Sequence, residues 1–262
     1  MEMRPEIRDL CRAFVEGLGD IVGTRLYAVY IYGALTFPET EYAGDVDFHA
    51  ILSAAPSESE RTALLALHDR LAREFPPLGA ELDGYYILLG DARGSTPPRH
   101  LLFPHLVDDS WALHRAHILA GRCVVLRGPD PKTVYVAPTW AEVADALDGE
   151  LDYVARHLAQ YPDYCVLNLC RLVYSWETGD VVTSKAAGAA WASRRFPAWK
   201  PLIDLALMSY AKRTSEADRE TLLVGAADLY PLATREIDAA RGRRKAQGFR
   251  NSSARATCPV NR

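Results

Sequence analysis

Paired cysteines, long apolar runs and an excess of basic charge are all missing from this chain. Among 262 residues there are five cysteines, Cys11, Cys123, Cys165, Cys170 and Cys258, an odd number with no C-x-x-C pair. That spacing gives no support to a disulfide framework or a cysteine zinc site, and it suits a reducing compartment. No apolar stretch approaches a membrane span, and the opening MEMRPEIRDL has no signal-peptide core. With 30 Lys and Arg against 34 Asp and Glu, the net charge is −4, which argues against general nucleic-acid binding. The expectation is a soluble cytoplasmic protein with neither a membrane nor a nucleic acid as partner.

What is present is enough apolar residue to bury a core, in one large domain or two modest ones. Ile7, Leu10, Cys11, Phe14, Val15 and Leu18 recur at helical spacing and predict an amphipathic first helix. RLYAVYIYG (25–33) reads as a strand ended by Gly33, and DVDFHAIL (45–52) as a second. Ser57 and Glu60 form a capping-box pattern ahead of a helix with Leu64, Leu67, His68 and Leu71 on one face. LDGYYILLG (82–90) predicts a third strand, 90–105 a loop, 110–121 a helix and CVVLRG (123–128) a short strand.

From residue 139 the pattern becomes helical, over 140–159, 163–177, 184–196, 199–213 and 216–241. Strands mixed with helices, then helices alone, predict an α+β domain over 1–138 and a helical domain over 139–262. The last 22 residues carry seven Arg or Lys and no acid. Residues 242–262 are therefore expected to be a flexible, solvated basic tail.

Chemistry concentrates between Gly33 and Asp47. Side chains alternate along a strand, so Asp45 and Asp47 face the same way and repel each other unless a cation sits between them. Magnesium favours one or two such carboxylates together with waters and substrate phosphates. Gly33 and Gly44 flank the segment, and glycine lets backbone N–H groups approach phosphate oxygens. Downstream, Glu81 and Asp83 share a parity. Asp83 lies more squarely in its strand, with Glu81 as the alternative; a carboxylate there can complete a metal site or accept a hydroxyl proton. His49 shares the parity of Asp47 and reads as a packed, hydrogen-bonded strand histidine, while His105, His114 and His117 show no metal spacing.

GALTFPETEYAGDVD (33–47) resembles the signature of the polymerase-β-like nucleotidyltransferases: glycine, serine, a loop, then D-x-D. LNLCRLVYSWETGDVVTSKAAGAAWASRRFP (167–197) resembles the helical domain of the aminoglycoside 3''-adenylyltransferases, and GRCVVLRGPDP (121–131) their joining strand and Gly-Pro turn. The resemblance implies a mixed sheet with flanking helices, a C-terminal helical bundle, and ATP with Mg2+ held between them. It implies that Asp45 and Asp47 hold metal, and that Asp83 stands at the catalytic glutamate's position, close enough to share the metal. Arg171 and Lys185 match the family's triphosphate-contacting cations, and Tyr210 a nucleotide-contacting tyrosine.

Two family serines are replaced here, by Ala34 and Gly44, and each loss removes a hydroxyl able to bond phosphate at about 1.5–3 kcal/mol. Thr36 is a substitute within reach in sequence. Aromatic residues from Tyr85 to Trp191, with Asp163 and Glu177, would suit a cationic amine. The resulting expectation is transfer of AMP from ATP to a hydroxyl of a small polycationic or aminocyclitol substrate, with release of pyrophosphate. The alternatives are a different small-molecule or protein hydroxyl as acceptor, or a nucleotide-binding module with little catalysis, which Ala34 and Gly44 favour.

Overall fold

The computed structural model describes residues 3–38, 45–211 and 213–256, with side chains described as far as residue 245. It opens with α1 (Pro5–Val22), which buries Ile7, Leu10, Cys11, Phe14 and Leu18 along one stripe. There follow β1 (Leu26–Ile31), β2 (Val46–Leu52), α2 (Glu58–Glu74), β3 (Leu82–Leu88), the single turn α3 (Leu89–Ala92), α4 (Trp111–Leu119) and β4 (Val124–Arg127). The capping box at α2 is formed: Ser57 accepts from the Glu60 N–H, and Glu60 accepts from the Ser57 N–H at 2.7 Å.

The strands make one mixed sheet in the order β3-β2-β1-β4. β2 pairs parallel with β3, whereas β1 runs antiparallel to both β2 and β4. Two-residue periodicity divides the side chains between two layers. Val29, Ile31, Val46, Phe48, Ala50, Leu52 and Tyr86 pack with the apolar stripes of α1 and α2. At roughly 1.5–3 kcal/mol for each fully buried large apolar side chain, that layer is a principal source of stability. On the opposite face Ala28, Tyr30, Tyr32, Ile51 and Ile87 pack with Trp111 and Ile118 of α4 and with Val134 and Tyr135. The parity that directs Ile51 and Ile87 to this second face also directs Asp47, His49, Asp83 and Tyr85 there.

The helical part comprises α5 (Trp140–His157), α6 (Pro162–Thr178), α7 (Lys185–Arg195), α8 (Lys200–Tyr210) and α9 (Glu216–Ala256). The chain divides into two compact units, Met1–Gly149 and Glu150–Arg262, so the division falls within α5. In the second unit α6 is apolar nearly all round, with Val166, Leu167, Leu169, Cys170 and Val173 fully buried, and it packs against α7, α8 and α9. Gly179, at φ 81°, ends it with a left-handed cap whose N–H donates to Ser175 O at 2.8 Å.

One expectation is revised. The helix expected to stop at residue 241 continues to Ala256, through most of the segment expected to be a flexible tail. Arg, Lys, Ala and Gln are good helix formers, so propensity sustains α9 where apolar periodicity has run out. Residues 257–262, including Cys258, lie outside the described residues. Among the described residues no helix is long and apolar enough to cross a membrane.

Candidate active site

The parallel register of β2 and β3 seats Asp47 opposite Asp83 at the strands' N-terminal ends. Asp45 stands just before β2, exposed, and close enough for its charge to act on Asp83. Asp83 is exposed at its strand end. Its carboxyl is held above the ordinary carboxylate range, first by desolvation and then by repulsion from Asp45; His114 and the Gly84 N–H partly oppose the shift. A strand-end carboxylate raised in this way is a better proton acceptor than a free one. Glu81 ends a 3-10 turn (Leu78–Glu81) ahead of β3, so Asp83 and not Glu81 stands in register with Asp47.

Gly33 serves Asp47 directly. It has φ +72°, and a Cβ placed on it would lie 1.7 Å from Asp47 Oδ2. The carboxylate therefore rests against the glycine's α-carbon, and only glycine leaves room for it. Gly33 also opens a 3-10 turn, Gly33–Thr36, that includes Ala34. The suggestion that Thr36 replaces the missing serine is corrected here: Thr36 is buried, and its hydroxyl donates to Gly33 O at 2.8 Å. Arg122, which sequence reasoning missed, donates to Thr36 O at 3.4 Å and lies 4.8 Å over the Phe37 ring, so it steadies the turn's exit. Gly44 lies outside the described residues.

Beneath the carboxylates is a polar layer. Tyr32, at the end of β1, donates its N–H to Asp47 O at 3.0 Å. Its phenol lies 3.4 Å from His114 Nδ1, and His114 Nδ1 lies 2.9 Å from Asp108 Oδ2. His49 Nδ1 meets the Tyr135 hydroxyl at 3.0 Å, while His49 Nε2 lies 3.7 Å from Asp108 Oδ2. Burial holds His49 below the usual histidine range and so neutral near pH 7, against the opposing pull of Asp108. Burial would raise Asp108, but the neighbouring His114 and His49 more than reverse it and hold the carboxyl well below its ordinary value. No spacing rule announces this layer, because its members come from β1, β2, α4 and two loops.

In the helical unit, Lys185 opens α7 behind the Ser184 cap, whose hydroxyl accepts from the Ala187 N–H at 3.0 Å. A lysine there opposes the helix dipole. Two rings compensate it: the ammonium lies 4.8 Å from the Tyr164 ring centre and 5.0 Å from that of Tyr210, and it reaches the Tyr210 hydroxyl at 3.1 Å. Arg171 on α6 flanks Gly188 of α7, where a Cβ would come within 3.0 Å of the Arg171 side chain. Arg171, Lys185, Tyr164 and Tyr210 thus form one cationic, aromatic group. The acids suggested for an amine have partners within the unit: Asp163 accepts from Ser209 Oγ at 2.8 Å, and Glu177 pairs with Arg195 and Arg243. Tyr86, Trp111 and Trp176 are core residues.

The described residues thus combine a mixed sheet that gathers acidic residues at adjoining strand ends beside a glycine turn with a helical unit that follows it in the chain. Residues 138–228 match the family model described as aminoglycoside adenylyltransferase, C-terminal domain. No curated protein matches the sequence. Among solved structures the chain resembles spectinomycin adenyltransferase AAD(9), described as "from Enterococcus faecialis with ATP and spectinomycin". The TM-score is 0.68 at 13% identity, over 87% of this chain and 99% of the other, a likeness of fold.

Proposed function

We propose that this protein transfers AMP from ATP to a hydroxyl of an aminoglycoside or aminocyclitol of the streptomycin or spectinomycin kind, with release of pyrophosphate. The observation that carries the reading is the placing of Asp47 against Asp83, with Asp45 acting on Asp83, in a chain whose residues 138–228 match an aminoglycoside adenylyltransferase C-terminal domain. The solved relative of the same fold holds ATP and spectinomycin.

Desolvation and then repulsion from Asp45 raise Asp83; a divalent cation relieves that repulsion, so Asp45, Asp47 and Asp83 fit Mg2+ as its ligands. Bound there, Mg2+ would neutralise these carboxylates and polarise the α-phosphate. Asp83 takes the proton of the acceptor hydroxyl as its oxygen bonds to the α-phosphorus. The bond from that phosphorus to the bridging oxygen breaks, and pyrophosphate leaves with the electron pair. Arg171 and Lys185 supply cations for the β- and γ-phosphates, and Tyr210 holds Lys185 in place. The nucleotidyltransferase unit is assigned to residues 1–138 and the helical domain to 139–262. The reading assigns the protein to the cytoplasm, where ATP is supplied.

The test is pyrophosphate release from ATP and Mg2+ with a panel of aminoglycosides, beside an Asp47→Asn control. Acceptor-dependent release that disappears in the variant supports the proposal, and absence of ATP binding by calorimetry overturns it. A second reading, ATP binding with weak turnover, is favoured by Ala34 together with the engaged hydroxyl of Thr36. Binding without release on any acceptor would select it.

A further inference from the structure

The layer beneath the carboxylates holds a buried histidine nitrogen with no hydrogen-bond partner. His49 is fully buried, and its Nε2 is among the few buried polar side-chain atoms left unsatisfied. Leaving such an atom unpaired costs about 1–3 kcal/mol. The other ring nitrogen is held by the Tyr135 hydroxyl at 3.0 Å, which fixes the ring so that Nε2 points toward Asp108 and His114. One imidazole nitrogen bonded to a neighbour and the other turned inward is the usual arrangement of a metal-ligating histidine.

The inward atoms converge. Ligand atoms of His49, Asp108 and His114 all lie within 4.8 Å of one another. His114 Nδ1 lies 2.9 Å from Asp108 Oδ2, His49 Nε2 lies 3.7 Å from Asp108 Oδ2, and the Tyr32 hydroxyl lies 3.4 Å from His114 Nδ1. Tetrahedral zinc with bonds of about 2.0–2.1 Å sets neighbouring ligand atoms roughly 3.3–3.4 Å apart, a value these distances bracket.

We propose that His49, Asp108 and His114, with the Tyr32 hydroxyl as a fourth donor, form a structural site for a zinc-like divalent metal, distinct from the Asp45, Asp47 and Asp83 set. Two imidazoles and a carboxylate select Zn2+ or Co2+ over Mg2+, which prefers oxygen ligands. Four protein donors leave no open position, so the site is structural and not catalytic. Its role is to tie the end of β1, β2, α4 and the Asp108 loop together. Through Tyr32, whose N–H donates to Asp47 O, it steadies the strand end that carries the carboxylates. Binding displaces the proton shared between His114 and Asp108.

The test needs neither ATP nor an acceptor, so its outcome is independent of the proposed reaction. Chelator-treated protein in excess Mg2+ is titrated with Co2+. The expectation is one equivalent bound, with visible ligand-field absorption of a nitrogen–oxygen site that Zn2+ then displaces. Asp108→Asn and His114→Gln should each weaken Co2+ binding by at least about tenfold, whereas Asp47→Asn should leave it unchanged. X-ray absorption of the wild-type zinc form should show two imidazoles, a readout that does not depend on any variant folding. No stoichiometric Co2+ binding in Mg2+, an absorption spectrum without imidazole scattering, or binding lost in Asp47→Asn but kept in the other two variants would each overturn the proposal.

Discussion

Replacing Gly33 by alanine isolates the contact on which Asp47 depends. Two costs are distinct. Alanine at φ +72° sits in the left-handed region, at about 1–2 kcal/mol. In a chain of this size that lowers Tm by roughly 2–8 °C and leaves the protein folded. The second cost falls on the site. The new Cβ would meet Asp47 Oδ2 at 1.7 Å, and ordinary contact begins at 3.4 Å, so the carboxylate must retreat by up to the difference, 3.4 − 1.7 = 1.7 Å. A misplacement of about 1 Å in a catalytic group can cost on the order of 100-fold in rate. Acceptor-dependent pyrophosphate release should therefore fall at least that far, while circular dichroism below the transition shows a folded protein and Tm falls by no more than the backbone cost. Activity within about threefold of wild type would refute the argument, since Asp47 would then not need the position that Gly33 leaves open.

Three further outcomes follow from the charges. Asp83 carries a raised carboxyl, so the folded state binds its proton more tightly than the unfolded chain and loses stability as pH rises between the two pKa values. Asp83→Asn should then abolish transfer yet raise Tm at pH 7 by about 1–3 °C, solvent screening keeping the gain small, and a lower Tm would contradict the reading. Asp108 is depressed instead, so its stabilisation is complete above the unfolded carboxylate pKa near 4 and is lost only in stronger acid. Asp108→Asn should accordingly lower Tm at pH 7, with a gap that closes as the solution is acidified, as a pH series of melting curves would show. Lys185→Met should raise KM for ATP by roughly 10–100-fold, the worth of a charge-assisted hydrogen bond, and an unchanged KM would remove Lys185 from the nucleotide's partners.

Much of this architecture is local physics, which is why it was legible along the chain. Ser57 and Glu60 cap α2, two-residue alternation puts Asp47 and His49 on the face that also takes Ile51, and Gly179 ends α6, each through neighbours a few residues away. Residue order likewise made the acidic pair readable as a metal-binding candidate and the helical half readable as a family domain. The register that sets Asp83 opposite Asp47 belongs to the fold, because two strands can pair in several ways until their faces are buried. So does the role of Thr36, whose hydroxyl turned inward to a carbonyl that sequence does not place beside it in bonding geometry. The layer of Tyr32, His49, Asp108 and His114 belongs to the fold most of all. Its members are scattered along the chain with no periodicity, and packing of α4 and two loops over one face of the sheet brings them together. Sequence determined which groups are available and which face each strand residue takes; tertiary packing decided which of them meet.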